Sequence, residues 1–242
     1  MSPVIGIIGA LNAEIQEFLK HSDQDKKVTW YEFEFHTARI CQQEVVIVQS
    51  GVGKVLSAMV CQKLIDDYHP EAILFTGAAG ALNKNLGIGD VLIGTESIQH
   101  DMYAAGLGFR RGEIPYTNYH TLLSDPELCA SALKTRLEHH RVLSGRILTG
   151  DQFFTSENRK GKNYLTEELK GDAVEMEGAA IAQVCTINRI PFVLIRTISD
   201  LADGNAEVDF NRFLPTVAEN SFSVVETILR SMAISHQTVN RG

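Results

Sequence analysis

Short apolar runs alternate with stretches of helical periodicity along this chain. Runs too short for a buried helix predict strands at Val4–Gly9, Val28–Phe35, Glu44–Gln49, Ala72–Thr76, Gly89–Ile98, Val142–Leu148, Ala173–Glu175 and Phe192–Ile198. Apolar residues three and four positions apart predict helices at Asn12–His21, Val55–Tyr68, Pro126–His139, Asn158–Leu169, Met176–Ile187 and around Phe222, Val225, Leu229 and Met232. Residues 102–122 show neither period and contain glycines and Pro115, so they predict a long loop.

The alternation of strands with helices predicts the fold class. It is typical of an α/β protein, here a single domain over residues 1–235 with a twisted, mixed, mostly parallel sheet covered by helices on both faces. No repeat or linker interrupts the pattern. Residues 236–242 are polar and end in Gly242, which predicts a disordered tail.

Composition narrows the possible partners. The 242 residues include 30 acidic and 22 basic side chains, and the resulting net charge of −8 argues against a nucleic acid or an anionic membrane as partner. No run of about 18 apolar residues could span a bilayer, and no signal peptide is recognisable. The four cysteines are far apart without metal-ligand spacing, which favours free thiols in the cytoplasm and no metal or other cofactor.

Acidic and small residues follow the predicted strands at nearly every carboxyl end. They are Gly9-Ala10 with Glu14, Ser50 to Gly53, Gly77 to Gly80, Asp151, Glu175-Met176-Glu177 and Ser199-Asp200. In open α/β sheets ligands bind beyond these ends of the strands. The sequence therefore predicts a small-molecule site at this edge of the sheet.

Each of these segments also has a simpler structural interpretation. The glycines match neither a dinucleotide fingerprint nor a phosphate loop, so Gly77–Gly80 either packs tightly or brings backbone N–H groups to a ligand. Two acids in Glu175-Met176-Glu177 either stabilise a helix N-terminus or accept hydrogen bonds from sugar hydroxyls. Glu14, taken alone, favours a capping or solvated role.

The remaining candidates near the strand ends are similarly open. Asp200 is either a general acid with a raised pKa or a residue that forms a turn. Arg196 lies inside an apolar strand, where its guanidinium requires a carboxylate partner. His100-Asp101 lacks a second ligand at useful spacing, which favours a structural histidine.

Taken together, these motifs resemble one enzyme family. They are Gly6-Ile7-Ile8-Gly9-Ala10 with Glu14, Ser50-Gly51-Val52-Gly53-Lys54, Thr76-Gly77-Ala78-Ala79-Gly80, Gly150-Asp151, Val174-Glu175-Met176-Glu177 and Ile198-Ser199-Asp200. In this order and spacing the chain is similar to the bacterial 5′-methylthioadenosine/S-adenosylhomocysteine nucleosidases of the nucleoside phosphorylase superfamily. The resemblance runs from about residue 4 to residue 230.

The resemblance implies hydrolysis of the N-ribosyl bond in an adenine nucleoside with a 5′-thioether, by a homodimer that needs no cofactor. Glu14 matches the acid that orients and deprotonates the attacking water, and Asp200 matches the acid that protonates adenine N7. Glu177 matches the carboxylate that binds the ribose hydroxyls. Two carboxyls in different environments can divide such roles when an oxocarbenium-like sugar forms.

The resemblance also implies a set of substrate-binding positions. Phe153 matches an aromatic that stacks on adenine, the Phe154 backbone a purine-edge contact, and Phe210 a lid over the 5′ substituent. A loop that reaches a neighbouring subunit's site is matched by Ala104, Leu107 and Pro115. The full predicted set is Ala78, Gly80, Ala104, Leu107, Pro115, Phe153, Phe154, Glu175, Met176, Glu177, Arg196, Ser199 and Phe210.

Three alternatives remain at the level of sequence. A phosphorylase would need an anion site near the first strand, but an acid at Glu14 would repel phosphate, so water is favoured as the nucleophile. A non-catalytic nucleoside-binding relative is disfavoured because all three acids are present. Ala78 stands where many members carry serine, and Ala104 and Leu107 replace larger residues, which leaves open the preference among methylthioadenosine, adenosylhomocysteine, 5′-deoxyadenosine and futalosine-type nucleosides.

Overall fold

The computed structural model describes residues 3–154, 160–201 and 206–239, with the side chains of residues 206–211 and 235–239 outside this description. Its strands are β1 Val4–Gly9, β2 Asp23–Trp30, β3 Phe33–Ile40, β4 Gln43–Gln49, β5 Ala72–Ala81, β6 Val91–Gln99, β7 Leu122–Leu123, β8 Val142–Thr149, β9 Ala173–Glu175 and β10 Phe192–Asp200. Its helices are α1 Asn12–Lys20, α2 Lys54–Tyr68, α3 Pro126–Ala132, α4 Tyr164–Glu167, α5 Gly178–Asn188 and α6 Ala206–Val239, with a short 3₁₀ helix at Ala105–Leu107.

The ten strands form one mixed sheet that closes on itself at one end. β10 pairs with β5 and β6, β6 with β8, β8 with β9, and β9 again with β5, so five strands form a closed ring. β1, β4, β3 and β2 continue outward from β5 in that order. Five of the ten pairings among the described residues are parallel, and the predicted mixed α/β sheet is confirmed.

Helices cover both faces of this sheet, as the sequence predicts. On one face α2 and α5 pack through buried residues such as Leu64 and Ile181. On the other face α1, α3 and α6 pack through residues such as Phe18, Leu128 and Ile228. Within the described part of the chain, no helix combines the length and the apolar character needed to cross a membrane.

The segment predicted as one strand at Val28–Phe35 is two strands joined by a tight turn. Val28 pairs with Phe35 and Trp30 with Phe33, so the turn consists of Tyr31 and Glu32. Tyr31 takes a positive φ of 52°. Because neither turn residue is Gly, Asn or Asp, the sequence carries no turn signal here.

Three helices differ from the predicted bounds by more than two residues. α3 ends at Ala132 rather than His139, since the amides of Lys134 and Thr135 donate to carbonyls three residues back and tighten the last turn. α4 covers only Tyr164–Glu167 of the predicted Asn158–Leu169, part of which lies outside the described residues. α6 continues to Val239 and so includes residues 236–239 of the predicted tail, while residues 240–242 are not described.

Candidate active site

A cavity of about 360 Å³ opens where several strands end. Its described lining residues are Ala10, Leu11, Glu14, Val52, Ala78, Ala79, Gly80, Gln152, Phe153, Phe154, Val174, Glu175, Met176, Glu177, Ser199 and Asp200. They come from the ends of β1, β5, β9 and β10 and from the segments after β4 and β8. The strand-end segments singled out by the sequence therefore converge on one cavity.

Glu14 is a buried carboxylate at the start of α1. Its Oε2 accepts hydrogen bonds from the amides of Ala10 (2.7 Å) and Leu11 (2.9 Å), and its Oε1 accepts one from the amide of Ala78 (3.0 Å). Burial raises the pKa of Glu14, against the opposing effects of the Arg196 charge and these three amides. Since a carboxylate offers about four acceptor positions, one position remains for a further donor from the cavity.

Glu175, in the wall of the cavity, forms a buried ion pair with Arg196 behind it. The Glu175 Oε2 accepts hydrogen bonds from Arg196 Nη2 (2.7 Å) and Nε (3.2 Å), and the guanidinium also lies 3.9 Å from the Phe75 ring centroid. The same carboxylate accepts the Thr149 hydroxyl and the amides of Glu177 (3.0 Å) and Gly178 (2.7 Å). Glu175 is thus the partner that the sequence requires for Arg196, and it also fixes the N-terminus of α5.

Glu177 lies one residue before α5 and points across the cavity toward α2. Its Oε1 accepts a hydrogen bond from the amide of Gly53 at 2.8 Å. Burial, followed by the neighbouring Glu175 charge, raises the pKa of Glu177 to about 8. Among the described residues, the Gly53 amide is the hydrogen-bond donor to this side chain, and burial beside Glu175 favours either a bound proton or a positive charge close to it.

Asp200 ends β10, lines the cavity and is buried. The hydroxyl of Ser199 donates to its Oδ2 at 2.8 Å. In β5, Gly80 pairs with Asp200, and the backbone of Ala79 accepts a second, longer contact from Ser199 Oγ at 3.5 Å. Asp200 and Glu14 thus reach the same cavity from strand β10 and helix α1.

Phenylalanines lie at the mouth and the wall of the cavity. Phe153 is 40% exposed, whereas Phe154 is buried with its ring against His100 at a centroid distance of 5.6 Å. Met176, Ala78 and Gly80 also line the cavity. These placements are compatible with the predicted binding of a flat, largely apolar base between the phenylalanines and the ribose-facing acids.

Five predicted site residues are not brought to the cavity by the described structure of one chain. Arg196 lies behind its wall, paired with Glu175. Ala104, Leu107 and Pro115 belong to the 102–122 segment, where Leu107 is 64% exposed, and none of the three is among the described lining residues. Phe210 falls in α6, but its side chain lies outside the described residues.

Several functional contacts have no signal in the sequence. Gln152 and Leu11 line the cavity and Thr149 anchors Glu175; the Gly53 amide, which anchors Glu177, belongs to a segment that the sequence singled out, but its contact was not predicted. Only their position beside the predicted strand ends could have marked them. In the part of the chain that the structure describes, no three His, Cys, Asp or Glu side chains are grouped to hold a metal ion.

Comparisons with known proteins agree with this geometry. The model of the phosphorylase superfamily matches residues 4–230. A 5′-methylthioadenosine/S-adenosylhomocysteine nucleosidase of Staphylococcus aureus is 36% identical over 231 residues, which cover 95% of this chain and 100% of the relative.

Solved structures give the same result. The Neisseria meningitidis nucleosidase of that name, in complex with methylthio-immucillin-A, has a TM-score of 0.89 at 34% identity and covers 94% of this chain and 99% of its own. A futalosine hydrolase of Helicobacter pylori has a TM-score of 0.88 at 32% identity, covering 96% of this chain and 99% of its own. The chain therefore belongs to the phosphorylase superfamily, in the family of the 5′-methylthioadenosine/S-adenosylhomocysteine nucleosidases.

Proposed function

We propose that this protein hydrolyses the N-ribosyl bond of 5′-methylthioadenosine, S-adenosylhomocysteine and related adenine nucleosides, releasing adenine and the thioribose product. The observation that carries the proposal is the convergence of three buried acids, Glu14, Glu177 and Asp200, on one cavity. Loss of a base leaves a cationic sugar, and acids placed around it stabilise that charge. Relatives at 34–36% identity over nearly the whole chain carry this activity in their names.

The position of Glu14 favours water over phosphate as the nucleophile. Its carboxylate occupies the amides of Ala10, Leu11 and Ala78, which are the backbone donors that could otherwise bind an anion at the end of β1. A phosphate placed there would also meet a second negative charge. A water molecule can instead donate to the acceptor position of Glu14 that the amides leave open.

In the proposed reaction the C1′–N9 bond breaks while the oxygen of the bound water forms a bond to C1′. Glu14 accepts the proton that the water loses, and protonated Asp200 donates its proton to N7, so that adenine leaves as a neutral molecule. Glu177 accepts hydrogen bonds from the ribose hydroxyls and, when ionised, stabilises the positive sugar. Phe153 stacks on the base, and the Phe154 backbone contacts its edge.

Substrate preference depends on position 78, near the ribose and the water, and on positions 104 and 107, in the 5′ pocket. Ala78 has only a methyl group where many family members carry serine, and Ala104 and Leu107 are small for the 5′ pocket. A futalosine hydrolase is among the similar structures. We therefore include futalosine-type nucleosides and 5′-deoxyadenosine among the candidate substrates.

We further infer that the protein acts as a homodimer in the cytoplasm. Large apolar side chains on α2, α5 and the 102–122 segment are exposed in the single chain, among them Val55, Ile187 and Leu107. A partner covering them would bring Leu107 and its neighbours to a second site. All four cysteines are free, which is typical of a reducing compartment.

The direct test is incubation of the purified protein with 5′-methylthioadenosine, with and without phosphate, followed by product chromatography. We expect adenine and methylthioribose in both buffers at the same rate. Release that depends on phosphate and yields a sugar phosphate would identify a phosphorylase. If no base is released from 5′-methylthioadenosine or from any of the other candidate nucleosides at any phosphate concentration, the protein binds nucleosides without hydrolysing them.

Replacement of the acid tests the assignment of Asp200. Asp200→Asn keeps an acceptor for Ser199 but removes the transferable proton, so kcat should fall about 100- to 10,000-fold. Affinity for an adenine-nucleoside inhibitor, measured by calorimetry, should stay within about threefold of wild type because the shape is kept. Asp90→Asn serves as the control, because Asp90 is also a buried acid but pairs with Arg141 and is not among the described residues that line the cavity. Near-normal turnover by Asp200→Asn would contradict the assignment.

A further inference from the structure

Three charged residues form a closed ring of hydrogen bonds beside the cavity. The Nζ of Lys54 donates to Asp101 Oδ1 at 2.7 Å, and the amide of Asp151 donates to Asp101 Oδ2 at 3.0 Å. The amide of Lys54 then donates to Asp151 Oδ1 at 2.9 Å, which closes the ring. We call Lys54, Asp101 and Asp151 the acidic ring.

The acidic ring joins two segments that bind different parts of a nucleoside in the proposed function. Lys54 is the first residue of α2, directly after Gly53, whose amide holds Glu177 at 2.8 Å. Asp151 directly precedes Gln152, Phe153 and Phe154, which line the cavity. The ring therefore fixes the ribose side of the cavity relative to its base side.

The chemistry of the ring suits a rigid spacer. Burial alone would raise the pKa of Asp101, but the hydrogen bond from Lys54, the Asp151 amide and the Lys54 charge together hold it below its usual range. Asp101 therefore stays ionised near neutral pH and accepts both donors. A Cβ on Gly53 would lie 3.2 Å from Asp151 Oδ1, so the two segments already lie in close contact.

None of the three side chains is among the described residues that line the cavity. Their described hydrogen bonds go to backbone amides and to one another, so they act on a substrate indirectly, through Gly53 with Glu177 and through residues 152–154. The hydrogen bonds from the ribose hydroxyls to Glu177 and the stacking of the base on segment 152–154 are made in the ground state as well as in the transition state, so a small displacement of either segment mainly raises KM. This places the ring outside the chemical step.

We propose that Lys54 and Asp101 are positioning residues, which set the distance between the ribose-binding Glu177 and the base-binding segment 152–154 and thereby determine the affinity for the whole nucleoside. The proposal rests on the proposed function, because it takes both segments to bind one substrate. It predicts that loss of the ring raises KM and leaves kcat nearly unchanged.

The test is a mutant cycle on nucleoside hydrolysis. Asp101→Ala and Lys54→Met should each raise KM for 5′-methylthioadenosine about tenfold while kcat changes less than about threefold. The double variant should lose no more than the worse single variant, because either change opens the same ring. Lys54→Arg, which keeps a cationic donor, should restore most of the affinity.

Glu96→Ala is the matched control. Glu96 and Asp101 have side chains equally exposed, at 32%, and each accepts one basic partner, Arg146 in the case of Glu96 at 2.9 Å. This control should keep a normal KM. All variants are compared below their unfolding temperatures, so that a folding defect is not counted as lost affinity.

The outcomes distinguish a failure of the proposed function from a failure of the positioning role of the ring. If the wild-type protein hydrolyses no nucleoside, the proposed function fails, whatever the variants do. If the wild type is active but Asp101→Ala and Lys54→Met behave like Glu96→Ala, the ring has no positioning role. Multiplicative losses in the double variant, or a loss confined to kcat, would equally overturn the proposal.

Discussion

The imidazole of His100 is almost fully buried behind the Phe154 ring, and its Nδ1 lies 3.2 Å from the Tyr164 hydroxyl. Burial lowers the pKa of His100 from 6.5 to about 4. Below about pH 6.5 the His100 imidazole is therefore protonated in the unfolded chain, whereas in the folded protein it stays neutral down to about pH 4. Above pH 6.5 burial of the neutral imidazole therefore has no protonation cost, and the free energy of unfolding decreases as the pH falls from 6.5 to about 4.

His100→Gln should accordingly flatten the decline of stability in acid. The shift corresponds to about 3 kcal/mol in total, most of which the variant should no longer lose between pH 6.5 and 4.5. Urea unfolding at a series of pH values measures this slope. His139→Gln, at a side chain that is 76% exposed, should leave the slope unchanged. Equal slopes for wild type and His100→Gln would show that burial of this histidine costs nothing in acid.

At single positions the sequence predicted which acids lie near the strand ends better than it predicted the contacts of each one. Glu14 was open to a capping role or to a role in the site, and its carboxylate both accepts the amide of Leu11 and lines the cavity. Glu175 was predicted to bind substrate; it lines the cavity, and its carboxylate also accepts hydrogen bonds from Arg196 and from the N-terminus of α5, contacts that the sequence did not assign. Residue types indicate charge, whereas orientation depends on partners far along the chain, such as Gly53 for Glu177 at a separation of 124 residues.

Strand β5 passes directly beneath two of the buried charges, and its close approach depends on Gly77. A Cβ there would lie 2.7 Å from Glu14 Oε1 and 3.0 Å from Arg196 Nη1. Gly77→Ala should therefore displace both groups and lower kcat/KM about 100-fold, with about 1–3 kcal/mol lost from the free energy of unfolding.

Steady-state kinetics and urea unfolding measure the two effects of Gly77→Ala. Gly87→Ala is the control, since a Cβ at Gly87 meets its nearest neighbour, Asp90 Oδ2, at an ordinary 3.7 Å. It should change neither quantity appreciably. An active Gly77→Ala variant would mean that β5 can move away from Glu14 without cost.

Among the secondary-structure elements, those with strong apolar periods were predictable. β1, β9 and the main part of β10 agree with the predicted strands, because each is a buried apolar run with a clear end. β2 was largely missed, since its first five residues, from Asp23 to Lys27, are exposed and polar. Pairing with β3, not burial, makes this segment a strand, and pairing leaves no hydrophobic pattern in the sequence.

For the molecule as a whole, one face carries large apolar side chains that are exposed in the single chain. Val55 on α2 is 77% exposed, and Ile187 lies on the adjacent α5, to which α2 is joined by the hydrogen bond from Asn188 to Gln62. If this face forms the proposed dimer interface, Val55→Glu should yield monomers with reduced activity, because a buried unpaired charge opposes association.

Light scattering at working concentrations measures the state of assembly. Ile234→Glu, at a residue 67% exposed on α6 across the sheet from α2 and α5, should remain dimeric. A wild-type protein that is monomeric and fully active would refute both the dimer and a site shared between subunits.

The position of β10 in the sheet also has a consequence for folding during synthesis. β10 is the last strand along the chain, yet it lies between β5 and β6 and closes the ring. Until β10 is made, the edges of β5 and β6 that it covers lack this partner, and unpaired strand edges favour aggregation. Since Asp200 is the final residue of β10, the strand that covers those edges also brings the third acid to the cavity.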